Sequence, residues 1–85
     1  MNKYRKKPVV IEAFQFDSSD ALSESILKEP NISVKFEESG DTVLLIQTLE
    51  GVMTAKNGDW IIKGIKGEFY PCRDDIFQAT YEKVE

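Results

Sequence analysis

The stretch GDWIIKGIKGEFYPC, residues 58–72, holds three glycines, three aromatic residues and the only cysteine of the chain. Its G-x-x-G segment, residues 64–67, matches in letters a loop with which some RNA-binding domains hold a nucleic-acid backbone. That loop lies between two helices, and phosphate-binding glycine motifs open a helix. Both flanks of the segment here have the composition of strands. The glycines therefore predict the turn of a β-hairpin.

The hydrophobic period changes along the rest of the chain. Residues 8–16 are rich in β-branched and aromatic side chains, which predicts a first strand. Ser18, Ser19 or Asp20 can cap a helix at about residues 20–28, and Pro30 ends it. The period then becomes two, which predicts five or six further strands, in the segments NISVKFEE, TVLLIQT, VMTAK, DWIIK, EFYPC and QATYEKV.

These elements predict a single α+β domain over residues 1–85, with a basic leader at residues 1–7 that can be flexible. One short helix follows the first strand, and an antiparallel β-meander then forms a strongly bent sheet or small open barrel. The segment TVLLIQT is the predicted central strand. Asn57-Gly58 is a strong hairpin signal, and Asp74 is predicted to cap one helical turn before the last strand.

Charge is distributed unevenly. Four basic residues lie in the first seven positions, and from residue 8 onward seven basic residues stand against fifteen acidic ones, a net charge of −8. An acidic body disfavours direct binding of nucleic acid, which needs a positive face. The leader is either a solvated segment before an edge strand or an arm that contacts phosphate or acidic groups.

The sequence predicts a protein of the cytosol. No apolar run approaches the roughly 18 residues that cross a bilayer, so no membrane association is expected. A lone cysteine, Cys72, suits a reducing compartment.

The residues that usually carry chemistry are absent or isolated. The chain has no histidine, which removes Ser-His and Cys-His pairs and the commonest metal ligand. Cys72 is expected to be a small buried residue. The acidic pairs at residues 37–38 and 74–75 are neighbours in sequence and point apart, and no D-x-D-x-D loop is present. We therefore predict no catalytic residues, no metal, no cofactor and no enzymatic activity.

Aromatic side chains are concentrated in the last third of the chain, among basic ones. They can form a core, an interface with a protein, or a site where a planar ligand stacks while cations hold its phosphate. Strand alternation places Trp60 and Ile62 on one face and Ile61 on the other, and it separates Phe69 from Tyr70. The candidate ligand-binding residues are Trp60, Lys63, Lys66, Tyr70 and Arg73.

Two segments resemble a widespread family of small phage and prophage proteins. They are YRKKPVVIEAFQF at residues 4–16 and LEGVMTAKNGDWIIKGIKGEFYPCRDDIFQATYEKV at residues 49–84, about half the chain, at its two ends. The family signature, G-D-W/Y-I…G…G-E…Y…D-I-F…Y-E, falls on Gly58, Asp59, Trp60, Ile61, Gly64, Gly67, Glu68, Tyr70, Asp75, Ile76, Phe77, Tyr81 and Glu82.

The resemblance implies a phage origin and an accessory role in the cytoplasm of an infected bacterial host, and it carries no catalytic residues. The leading hypothesis is a non-catalytic inhibitor that binds a host protein, such as one of an antiviral defence system. One alternative is a homo-oligomer that sequesters a small nucleotide signal. Another is a minor component of the virion or its assembly.

Overall fold

The computed structural model describes residues 1–5, 7–20, 26 and 28–84. The described elements, in chain order, are β1 (Glu12–Gln15), a 3-10 turn (Ser18–Asp20), β2 (Ile32–Phe36), β3 (Thr42–Thr48), β4 (Gly51–Ala55), β5 (Trp60–Lys63), β6 (Phe69–Cys72) and helix α1 (Asp74–Thr80). The protein is β-rich. The described helix is too short to cross a membrane.

The six strands form two three-stranded antiparallel sheets. The first sheet has the order β1-β5-β6 and the second the order β2-β3-β4. Strand β6 lies against β3 and β4, so the sheets contact each other. The prediction of one meander in a bent sheet or small barrel is therefore wrong, and the described strands close no barrel. The chain leaves the second sheet after β4, and β5 pairs with β1 instead.

The predicted position of the helix is also wrong. The described helix, α1, lies near the end of the chain rather than after the first strand. Most of the helix predicted at about residues 20–28 lies outside the described residues. The predicted last strand is absent, because residues 78–80 belong to α1 and residues 81–84 have no regular structure. Phe77 and Tyr81 are four residues apart, a spacing that places two side chains on one face of a helix and of a strand alike.

The core lies between the two sheets. Strand β3 is central in its sheet, as predicted, and its Leu44 and Ile46 have no exposed surface. Burying one such side chain contributes about 1.5–3 kcal/mol. The buried cluster consists of Phe16, Ile26, Ile32, Leu44, Ile46, Ala55, Ile61 and Phe69.

The turn predicted at residues 64–67 is confirmed. It joins β5 to β6 as a hairpin, the Gly67 N–H donates to the Gly64 carbonyl oxygen at 3.0 Å, and Gly67 has a φ of +82°. The glycines of the stretch at residues 58–72 thus serve a turn between two strands.

A turn is also present at Asn57-Gly58, but it does not close a hairpin. The Asp59 N–H donates to the Lys56 carbonyl oxygen at 2.9 Å, and Gly58 has a φ of +94°. Asn57 does not have a positive φ, so this is not the type I′ turn of a tight hairpin, which needs both central residues there. The turn carries the chain from one sheet to the other.

Candidate functional site

The outer face of the first sheet carries the aromatic residues that the sequence analysis singled out. Trp60 and Ile62 share this face, whereas Phe69 is buried in the core and Tyr70 lies on the outer face, as predicted. Helix α1 packs here through Phe77, its one aromatic residue, and Tyr81 follows directly after the helix. The rings of Trp60 and Phe77 are stacked, with centroids 4.0 Å apart and planes 6° apart. The centroids of the Phe77 and Tyr81 rings are 5.0 Å apart. We call Trp60, Phe77 and Tyr81 the aromatic stack.

The carboxylate of Asp74 ties α1 to the sheet. Its Oδ1 accepts hydrogen bonds from Trp60 Nε1 at 2.9 Å, from Gln78 Nε2 at 3.3 Å and from Gln15 Nε2 at 3.5 Å. The prediction that Asp74 caps the helix is wrong, because the N-cap is Arg73 and it makes no side-chain capping bond. Asp74 is instead the first helical residue, and a negative charge at this end of a helix interacts favourably with the helix dipole.

Tyr70 extends this contact along β6. Burial and a hydrogen bond with the Tyr81 side chain raise the pKa of Tyr70 to about 12. Burial also raises the pKa of Cys72, together with the nearby charges of Asp59 and Asp75. A thiol with a raised pKa is a poor nucleophile at neutral pH. Cys72 is half-buried, and its place on this face is a packing position.

We expect the raised pKa of Tyr70 to appear as a pH dependence of stability. The ordinary pKa is 10.0 and the folded value about 12, so the folded protein holds this proton more tightly. The stabilisation is therefore complete below pH 10 and is lost as the pH rises towards 12. Urea unfolding across this range should show the wild type losing stability relative to Tyr70→Phe. Tyr4→Phe is the matched control, since Tyr4 is 91% exposed; parallel profiles for wild type and Tyr70→Phe would contradict the prediction.

The five candidate ligand-binding side chains do not converge on one place. Trp60 and Tyr70 lie on the outer face, and Phe77 covers one side of the Trp60 ring. Lys63 lies on the opposite face, with its Nζ 5.9 Å from the centre of the Phe69 ring. Lys66 is exposed at the tip of the β5–β6 turn. Arg73 pairs with Asp75 at 3.0 Å. Their role in binding a ligand stays a prediction.

The structure shows a cleft that the sequence analysis missed. It has a volume of about 430 Å³ and lies where the 3-10 turn, the β2–β3 turn and the Asn57-Gly58 turn meet. Its carboxylates are Glu37 and Asp41, and Lys56 is the only cation among its lining residues. The Ser18 N–H donates to Asn57 Oδ1 at 2.8 Å and holds two of its walls together. None of the five candidate residues lines it. We call this region the acidic cleft.

The segment EESGD at residues 37–41 was the signal for this region, and the sequence analysis considered only its acidic pair at residues 37–38. Glu37, Glu38 and Asp41 are all exposed, and Asp17 lies next to Ser18 in the cleft wall. Hydrogen bonds from the backbone N–H and the hydroxyl of Ser19 lower the pKa of Asp17, so this carboxylate stays charged. The described residues contain no group of three or more His, Cys, Asp or Glu side chains that can hold a metal.

Comparison of the chain with models of protein families, with curated proteins and with solved structures found no match. The protein is therefore described by its own fold, its aromatic stack and its acidic cleft. It is a β-rich domain of two small sheets in which an aromatic stack and one carboxylate attach a short helix to the outer face of the first sheet.

Proposed function

We propose that this protein is a non-catalytic, phage-encoded accessory protein that inhibits a host protein by binding it through the acidic cleft. The phage origin and the host target rest on the resemblance of its two end segments to phage proteins. The region of contact rests on the charges around the cleft.

One observation carries the choice of surface: among the described residues, the cleft carboxylates Glu37 and Asp41 form an ion pair with no cation. The ion pair among the described residues is Arg73–Asp75, which lies at the N-terminus of α1 and not at the cleft. Glu37, Glu38 and Asp41 are exposed and form no ion pair within the described part of the chain. Such groups attract a basic surface and accelerate its association.

The aromatic stack is a weaker candidate for the interface. Its rings already contact one another, and the indole N–H of Trp60 already has an acceptor in Asp74. A partner at this face would compete with the packing of α1. The stack therefore supports a structural role, and the acidic cleft supports recognition of a partner.

We expect reversal of charge at the cleft to weaken binding. In Glu37→Lys/Asp41→Lys, which reverses both carboxylates of the cleft lining, affinity for the host partner should fall at least about tenfold, because buried or close charge pairs across interfaces contribute more than about 1.4 kcal/mol. The partner is isolated with tagged wild-type protein from a bacterial host lysate, and its affinity is then measured with purified components at low and high salt.

Glu50→Lys/Glu82→Lys is the matched control. It makes the same change in net charge at two exposed carboxylates outside the cleft lining. It should bind the partner as the wild type does. Equal loss in both double variants would mean that only net charge matters, and equal binding in both would mean that the cleft is not the interface.

A further inference from the structure

Strand β1 has a free edge. It pairs with β5 and, within the described part of the chain, with no other strand. The Phe16 N–H donates to the Asp59 carbonyl oxygen at 2.8 Å, and the Phe16 carbonyl accepts from the Gly58 N–H at 2.9 Å. Because these bonds alternate along an antiparallel strand, the even-numbered residues of β1 face β5. The N–H and C=O groups of Ala13 and Gln15 therefore face outward.

Strand-forming residues continue upstream of β1, and no described strand pairs with them. Residues 8–11 have the sequence PVVI, which favours a strand, but β5 ends at Lys63 opposite Glu12. Val9 and Val10 are consequently 45% and 75% exposed. Even-numbered residues direct their backbone groups to the β5 side of the strand, and Pro8 is one of them. The N–H that proline lacks is therefore not missing from the free edge.

Charge changes sign along this segment. Arg5 and Lys7 are exposed at one end, and Glu12 and Asp17 are exposed at the other. The leader also lies away from its own body: its described residues are all exposed, and the radius of gyration is 14.1 Å, against about 12 Å for a compact domain of this length.

We infer that two copies of this chain form a dimer by antiparallel pairing of residues 7–15 along their β1 edges. In this register Arg5 of each copy lies opposite Asp17 of the other and Lys7 lies opposite Gln15, whereas parallel pairing would place like charges together. The contact is the same on both copies and closes on itself. It joins the two first sheets into one six-stranded sheet and covers the exposed valines.

The basic residues select this orientation. Lysines beside an edge strand normally prevent pairing, since they meet like charges or lose hydration. In the antiparallel dimer Arg5 of each leader meets the Asp17 carboxylate of the other copy instead. A small domain also gains stability from such association, because its own core is limited. The inference is independent of the proposed function, which concerns the acidic cleft.

Sedimentation equilibrium of the purified protein over a wide concentration range tests the dimer. The wild type should show a reversible monomer–dimer equilibrium that weakens with salt. Ala13→Pro removes an outward N–H without removing a bond to β5. Because the dimer is symmetric, one substitution removes this N–H from both copies. We expect it to raise the dimer Kd about tenfold or more. Ala13→Ser keeps the N–H and should retain the wild-type Kd.

A charge exchange tests the orientation and does not depend on the folding of the proline variant. Arg5→Glu/Lys7→Glu alone and Asp17→Lys alone should each dimerise more weakly than the wild type, because each places like charges together at the facing positions 5 and 17. An equimolar mixture of the two should form a heterodimer, since each leader then meets an opposite charge. A wild type that sediments as a monomer throughout would overturn the inference. So would a dimer whose Kd neither Ala13→Pro nor the charge variants change.

Discussion

Trp60→Ala should lower the free energy of unfolding by about 3 kcal/mol and release α1 from the first sheet. The helix has seven residues, none of them buried, and a helix this short is unstable alone in water. Trp60 gives it a stacked ring at 4.0 Å and a hydrogen-bond donor to its first residue, Asp74. Urea unfolding measures the loss, and hydrogen exchange at the Phe77 and Tyr81 amides reports the release.

Phe36→Ala is the matched control for this substitution. Phe36 is an aromatic residue of β2 that is 68% exposed, so its truncation should change stability by no more than about 0.5 kcal/mol. If Trp60→Ala were no more destabilising than Phe36→Ala, with the Phe77 and Tyr81 amides still protected, the aromatic stack would not be what holds the helix.

Gly58→Val should lower the free energy of unfolding by about 2 kcal/mol. Gly58 has a φ of +94°, and a Cβ there would meet nothing within 4 Å. The cost therefore comes from the backbone conformation, which a β-branched residue strongly disfavours. The position matters because this turn carries the chain between the sheets. The Gly58 N–H also donates to the Phe16 carbonyl oxygen.

Gly58→Asn is the control that separates conformation from side-chain size. Asparagine adopts a positive φ more readily than valine, so its loss of stability in urea unfolding should be clearly smaller. Wild-type stability in Gly58→Val would mean that the chain does not adopt this turn.

Local features of the sequence predicted the six strands that the structure shows, and they also predicted a last strand at residues 78–84 that is absent. Alternation in NISVKFEE and the apolar run TVLLIQT mark β2 and β3, and the glycines at residues 64–67 mark the hairpin between β5 and β6. Alternation also separated Phe69, which is in the core, from Tyr70 on the outer face. These successes share a cause, since each depends on residues that are neighbours in the chain.

The candidate site was less predictable. Lys63, Lys66 and Arg73 are close to Trp60 and Tyr70 in sequence, but strand alternation, a turn tip and an ion pair separate them in space. The acidic cleft joins residues 18, 41 and 57, and no local pattern connects those three positions. Its walls meet only because the ends of the two sheets lie side by side.

The sequence by itself determined the strand segments, the glycine turns, the lack of histidine and the separation of a basic leader from an acidic body. Tertiary structure decided which strands share a sheet, because the pairing of β1 with β5 joins residues 12–15 to residues 60–63. It also decided that the helical turn predicted after Asp74 continues to Thr80, where a strand was predicted. The spacing of Phe77 and Tyr81 fits a helix and a strand alike, and in the helix Phe77 stacks on the Trp60 ring. Long-range contacts choose among alternatives that local propensity leaves nearly equal.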